Sequence, residues 1–162
     1  MATGSVSAIG GDEWQLIATN TPTSGTSTSF TSISGYSKLR LIWNTLTFAA
    51  DAMLICRFNS DSGQNYIGAA SGFGSNTSES WSTAIPLNGN NAGPYAGYLD
   101  IEDANKTFPK KLQGVWSFRT GTYGDTLNGI YIGSSAITSI SLSDESSNTI
   151  SSGTVYLYGI AG

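Results

Sequence analysis

The chain has 162 residues and a formal net charge of −4, from seven Lys and Arg against eleven Asp and Glu, with no histidine. That length allows one domain with a sizeable core, while so few and scattered basic residues make no phosphate-binding stripe, so nucleic acid is not an expected partner. The missing histidine removes the commonest general base, the Ser-His-Asp arrangement and most zinc chemistry.

Charged residues make up 11% of the chain, under half the usual share of about 25%. The surface is therefore largely hydroxyl, amide and glycine, as suits a protein in contact with its own copies or a larger assembly. Residues Met1 to Gly11 form a small, glycine-rich arm with Val6 and Ile9 as its apolar points, ahead of a domain spanning 12–162. Such an arm frays unless something holds it. Val6 and Ile9 read equally as anchors on a neighbouring subunit and as an edge strand on their own domain. Met1-Ala2-Thr3-Gly4-Ser5 lacks the basic and apolar blocks of a signal peptide, and no apolar run approaches the ~20 residues of a membrane span.

Glu13 to Ala18 alternates and predicts a strand with Trp14, Leu16 and Ala18 inward. Asn20 to Ser29 is a low-complexity connector. The longest strand signal follows, Tyr36 to Leu46, with Leu39, Leu41 and Trp43 toward the core and Lys38, Arg40 and Asn44 outward. After Ala49-Ala50-Asp51 the chain returns through Met53 to Phe58, then turns at Asn59 to Gly63 into Asn65-Tyr66-Ile67, which predicts a meander. Cys56 is the single cysteine and, flanked by apolar residues on both strand faces, reads as a small buried hydrophobe. Trp81 to Ile85 is a short strand ended by Pro86, and Asn88 to Pro94 is an exposed loop by its turn residues.

Tyr95 to Glu102 sets Leu99 and Ile101 against Tyr98, Asp100 and Glu102. Lys106 to Lys111 reads as a loop and Leu112 to Arg119 as a strand with Leu112, Trp116 and Phe118 on one face. Asn128-Gly129 leads into Ile130-Tyr131-Ile132. Ile137 to Leu142 alternates, Ser143 to Asn148 is polar, and Ser152-Gly153-Thr154-Val155-Tyr156-Leu157-Tyr158-Gly159-Ile160 is a strand apolar on one face and aromatic on the other. Those last two strands predict a terminal hairpin that closes a sheet. Roughly ten strand signals at short spacing, with no helical period, point to one all-β domain, an antiparallel β-sandwich of jelly-roll-like form.

Three groups of residues are candidates for chemistry. Asn59-Ser60-Asp61-Ser62-Gly63-Gln64-Asn65 places oxygens at alternate positions like the start of a calcium loop, but the helices and later Glu of an EF-hand are missing. A turn with side chains bonded to their own backbone is the preferred reading, and no resident metal is expected. Asp100, Glu102 and Asp103 could supply a glycosidase pair, yet neighbouring acids at a strand end are ordinarily solvated, and no enzyme activity is expected. Trp81, Tyr95, Tyr98 and Tyr123, in or beside loops, could stack on a glycan. Core and interface packing is the competing role.

Tyr36-x-x-Leu39-Arg40-Leu41-x-Trp43, Arg57-Phe58-Asn59-x-Asp61-x-Gly63-x-Asn65-Tyr66, and Ile137-x-x-Ile140-x-Leu142 with the closing Ser-Gly-Thr…Leu-Tyr-Gly-Ile run stand in order. So arranged, the chain from Trp14 onward resembles the small β-sandwich structural proteins of tailed bacteriophage particles. The resemblance implies a virion component, often a homotrimer, made in the host cytoplasm and used as a capsid decoration protein, head fibre or fibre tip. A decoration or cement protein is the leading expectation, with the major capsid protein and further copies of itself as partners, and no cofactor, membrane or catalytic residues. Val6, Ile9, Tyr156, Tyr158 and Ile160 are the expected contact residues. A receptor-binding domain that recognises a host surface glycan is the alternative.

Overall fold

A computed structural model describes residues 13–51, 53–72, 78–80, 83–87, 93–118 and 124–162. These residues form strands β1 (Gln15–Asn20), β2 (Ser27–Phe30), β3 (Tyr36–Phe48), β4 (Leu54–Phe58), β5 (Tyr66–Gly72) and β6 (Ser78–Ser80). The second half adds β7 (Ile85–Pro86), β8 (Tyr95–Glu102), β9 (Lys110–Phe118), β10 (Gly124–Tyr131), β11 (Ile140–Asp144) and β12 (Ile150–Ala161). Among the described residues there is no helix.

The strands build an eight-stranded sheet in the order β1-β12-β3-β8-β9-β10-β5-β6 and a four-stranded sheet in the order β2-β11-β4-β7, with every pairing antiparallel. Setting aside β5, β6, β9 and β10, each remaining strand crosses to the other sheet from the one before it, except that β4 and β7 pair within one sheet, as a jelly roll requires. One sheet takes β1, β12, β3 and β8; the other takes β2, β11, β4 and β7. The four strands set aside widen the first sheet beyond β8. The molecule is thus an all-β antiparallel sandwich of jelly-roll topology with one enlarged sheet.

Side-chain alternation decides which face of each strand is buried. Leu157 of β12, Leu41 of β3 and Leu99 of β8 lie side by side in register, and all three are fully buried. The small sheet answers with Phe58 and Cys56 of β4 and Ile140 and Leu142 of β11. Phe58 also meets Tyr66 and Tyr131 of the enlarged sheet, with ring centroids 6.0 and 5.2 Å away. Gly97 makes room for the buried Trp43, since a Cβ there would lie 2.5 Å from the indole ring. Gly153, at φ +130°, sits where β12 slips register against β3, and a side chain there would strike the Leu46 backbone.

Several expectations need correction. No terminal hairpin forms: β11 belongs to the small sheet and β12 to the large one. The meander fails for the same reason, because β3 and β5 lie in the large sheet and β4 between them lies in the small one. Jelly-roll connections cross between layers, and a short polar turn looks the same whether it joins neighbours or opposite sheets. In β1 the expected inward set is displaced by a bulge between Leu16 and Ala18. Leu16 is exposed, and Ile17 and Ala18 pack on the core. The strand expected at Ile130-Tyr131-Ile132 begins earlier, at Gly124, and takes in Asn128-Gly129, and β9 starts at Lys110, inside the expected loop.

Two of the corners that carry the chain between sheets are tied together. Asp144, at the end of β11, is buried. Its Oδ1 accepts from the Met53 amide at 3.0 Å and its Oδ2 from the Asn148 amide at 2.7 Å. The Ala49 amide donates to Thr149 O at 2.9 Å and the Glu145 amide to Met53 O at 3.1 Å. One carboxylate therefore organises both the β3–β4 and the β11–β12 crossings.

Candidate binding face of the large sheet

With its inner face in the core, the large sheet turns the other set of side chains outward. One row runs across four strands as Leu16, Tyr158, Arg40 and Asp100, and continues to Gln113 and Asn128. The next row is Thr19, Tyr156, Ile42, Tyr98 and Val115. The same outward set continues on β10 and β5, where Ile130 faces Ile67. Ile132 follows two residues later, held to Asn65 O by its amide at 2.8 Å.

Exposed large apolar side chains are spread along this face, with Leu16 on the β1 edge, Tyr98 in the middle, and Ile130 and Ile67 toward the far side. Leu16 and Ile67 are each 55% exposed, and Tyr98, Ile130 and Ile132 are also exposed; Phe108, in the β8–β9 connection, is the further exposed one among the described residues.

Arg40 lies at the centre of the aromatic part. Its Nε and Nη2 donate to Asp100 Oδ1 and Oδ2, both at 2.6 Å, a bidentate pairing that fixes the guanidinium plane. The guanidinium carbon is 4.6 Å from the Trp14 ring centroid and 5.3 Å from that of Tyr98, within cation–π range of both. The hydrogen bond to Asp100 holds the Arg40 pKa above its ordinary value, against the opposing effect of burial. Tyr156 and Tyr158 stand next to each other along β12, their ring centroids 6.5 Å apart. Beside this cluster Lys38 pairs with Glu102 at 3.1 Å. The charges on this part of the face thus cancel locally.

Tyr98, Tyr156 and Tyr158, taken from two different readings of the sequence, are brought onto one surface. Tyr95 is not part of it: it is buried at the start of β8, 6.5 Å from the Phe48 ring and 6.4 Å from that of Trp116. That corrects its placement beside a loop as a glycan contact. Ile160 lies opposite Lys38 and is buried within the chain, which removes it as an open contact residue. Val6, Ile9, Trp81 and Tyr123 lie outside the described residues. Asp100 and Glu102 do share a strand face, each held by its own cation across the β3–β8 ladder. Trp14, expected to face the core, instead lies on the outer face against Arg40; Arg40 was read only as outward, and Ile67 and Ile130 were not singled out as contacts. The available signal was that Lys38 and Arg40 alternate in one strand as Asp100 and Glu102 do in another.

The Asn59–Asn65 loop is a fastener. Asn59 Oδ1 accepts from the Thr138 and Ser139 amides at 2.8 and 3.2 Å, and its amide nitrogen donates to Ala136 O at 2.9 Å. Asp61 Oδ1 accepts from the Gly63 amide, and Oδ2 from Asn65 Nδ2 and the Tyr131 hydroxyl, all at 2.8 Å. Its oxygens are thus engaged by N–H and O–H donors. Burial works to raise the Asp61 pKa, but the bonds from Asn65, Gly63 and Tyr131 prevail and hold it below the usual value. Among the described residues no group of three or more His, Cys, Asp or Glu is placed to share a metal ion.

Lys110 is buried opposite Tyr131, its Nζ donating to Gly133 O at 2.8 Å and Ser135 O at 2.5 Å. It pins the segment after β10 against β9, and burial holds its pKa below the ordinary lysine value, partly offset by Asp103. Cys56 is fully buried and burial pushes its thiol pKa up, which leaves it a packing residue.

No protein-family model matches the chain, and no curated protein matches its sequence.

Proposed function

We propose that this chain is a structural protein of a tailed-bacteriophage virion, and most directly a decoration protein that binds the head surface as a trimer and stabilises it. The observation that carries this reading is the pair of exposed isoleucines, Ile67 and Ile130, that face each other on neighbouring strands of the large sheet's outer face, with exposed Ile132 two residues on. Strands held on both sides offer such residues with little conformational entropy left to lose on docking. Apolar area covered by the capsid contributes roughly 25 cal/mol per Å² before the cost of association. Copies held on a lattice add their contacts through avidity. The motif resemblance supports the virion setting. The jelly roll is compatible with it, since viral capsid domains use that architecture, but a fold does not fix a function. No reaction is part of this reading.

The test is addition of the purified protein to heads that lack it, followed by sedimentation and a heat-release assay for DNA. The protein should pellet with heads and raise the temperature at which they burst. An Ile67→Ser/Ile130→Ser variant of unchanged melting temperature should stay in the supernatant. Heads of equal heat stability with and without bound protein would sink the cementing role.

A second reading, a receptor-recognition domain on a fibre, is favoured by one observation, the exposed Tyr98 beside the Arg40–Asp100 pair.

A further inference from the structure

The geometry points to a binding subsite for a neutral saccharide on the outer face of β3, β8 and β12, formed by Trp14, Arg40, Tyr98, Asp100 and Tyr158. Tyr158, Arg40 and Asp100 occupy register-matched positions on three neighbouring strands, so they span about 10 Å across the sheet. Tyr98 lies two residues from Asp100 on the same face, about 7 Å along β8. This is the footprint of one or two sugar rings.

Pyranose rings present an apolar face of C–H groups and an equatorial rim of hydroxyls. The first suits a tyrosine ring and the second suits fixed, planar hydrogen-bonding groups. The Arg40–Asp100 pair supplies both polarities at one place. Its two mutual bonds use two of the five guanidinium N–H donors and two of about four carboxylate acceptor positions. What remains can donate to and accept from hydroxyls without breaking the pair, and the stacked Trp14 and Tyr98 rings keep the guanidinium plane in place.

The choice of a saccharide over a protein rests on desolvation. A dry protein surface pressed over this pair would strip water from two charges that are partly solvent-accessible, with side-chain exposures of 34% and 24%, a cost that mutual attraction often fails to repay. Hydroxyls replace that water bond for bond. The isoleucines of β10 and β5, two and three strands further along the sheet from β8, have no such pair among them and suit an apolar partner instead. The choice of a neutral sugar follows from local charge: Arg40 with Asp100 and Lys38 with Glu102 sum to zero, so an acidic glycan gains no net attraction.

This inference does not depend on where, or whether, the protein sits on a particle. It is tested with the full chain on a printed array of neutral and acidic bacterial oligosaccharides, then by tryptophan-fluorescence titration with the strongest binder. A neutral oligosaccharide should bind with an affinity that added salt leaves unchanged. Tyr98→Ala and Asp100→Asn should each weaken it about tenfold or more, as expected for loss of a stacking or charge-assisted contact. Ile130→Ser should bind as the parent does. Tyr158→Ala, which removes neither member of the ion pair, decides the matter if Asp100→Asn fails to fold. Absence of any binder, binding that survives both Tyr98→Ala and Tyr158→Ala, or a preference for acidic glycans that salt abolishes would each overturn the assignment.

Discussion

Asp61 and Lys110 show how single polar residues are used inside a sandwich with few charges. Asp61 gathers three donors from its own loop and from β10, and Lys110 is pointed at two carbonyls of the segment that follows β10. Both fasten irregular backbone that strand pairing cannot reach. The lowered pKa of Asp61 has a consequence whose sign is fixed by linkage. A carboxyl more acidic in the folded chain than in the unfolded one stabilises fully above its unfolded value, near pH 3.9. That contribution disappears as pH falls through the lower, folded value. Stability should therefore decline below about pH 4, and Asp61→Asn should flatten that acid limb while lowering stability at neutral pH. Urea melts at stepped pH provide the measurement; parallel acid limbs for the two proteins would refute it. In the sequence Asp61 stood out for its alternating oxygens. What occupies those oxygens, chiefly Tyr131 from seventy positions away, had no local signal.

At the scale of elements, the strands were legible and their partners were not. Alternation in Tyr36 to Leu46 and in Tyr95 to Glu102 correctly separates the buried residues Leu39, Leu41, Trp43, Leu99 and Ile101 from the outward ones, because burial acts on each residue through its own strand. Pairing depends on which layer a turn leads to. That is decided by groups far apart in sequence, such as Asp144 with the Met53 amide. The bulge in β1 was equally hidden, and it exchanged the roles of Leu16 and Ile17. Asp144→Ala would leave the half-buried Met53 and Asn148 amides without their acceptor, at up to about 1–3 kcal/mol for each group that water does not reach. Calorimetry should show the melting temperature of Asp144→Ala falling well below that of Asp51→Ala, a change at an exposed carboxylate in the same corner. Equal melting temperatures would mean the two crossings hold without it.

For the whole molecule, composition anticipated a neutral surface and an all-β sandwich, and the structure has that fold. The candidate face was visible only in pieces. Tyr156 and Tyr158 drew notice through the closing strand and Tyr98 as a loop aromatic, but nothing local says that β12, β3 and β8 are neighbours. Their adjacency is a product of the jelly-roll order, which threads β3 between the last strand and the eighth. The same order explains why the face is broad: β9, β10 and β5 extend it past the four strands a jelly roll supplies.

That order also sets how the domain bears a load. Gln15 at the start of β1 lies against Gly159 near the end of β12, so tension applied through both chain ends falls on one end of a single antiparallel pair. The ladder would then part rung after rung, as a zip opens. Strain spread over the outer face instead loads many strands together. A fold wired this way yields when tugged by its ends and resists when pressed on its broad side.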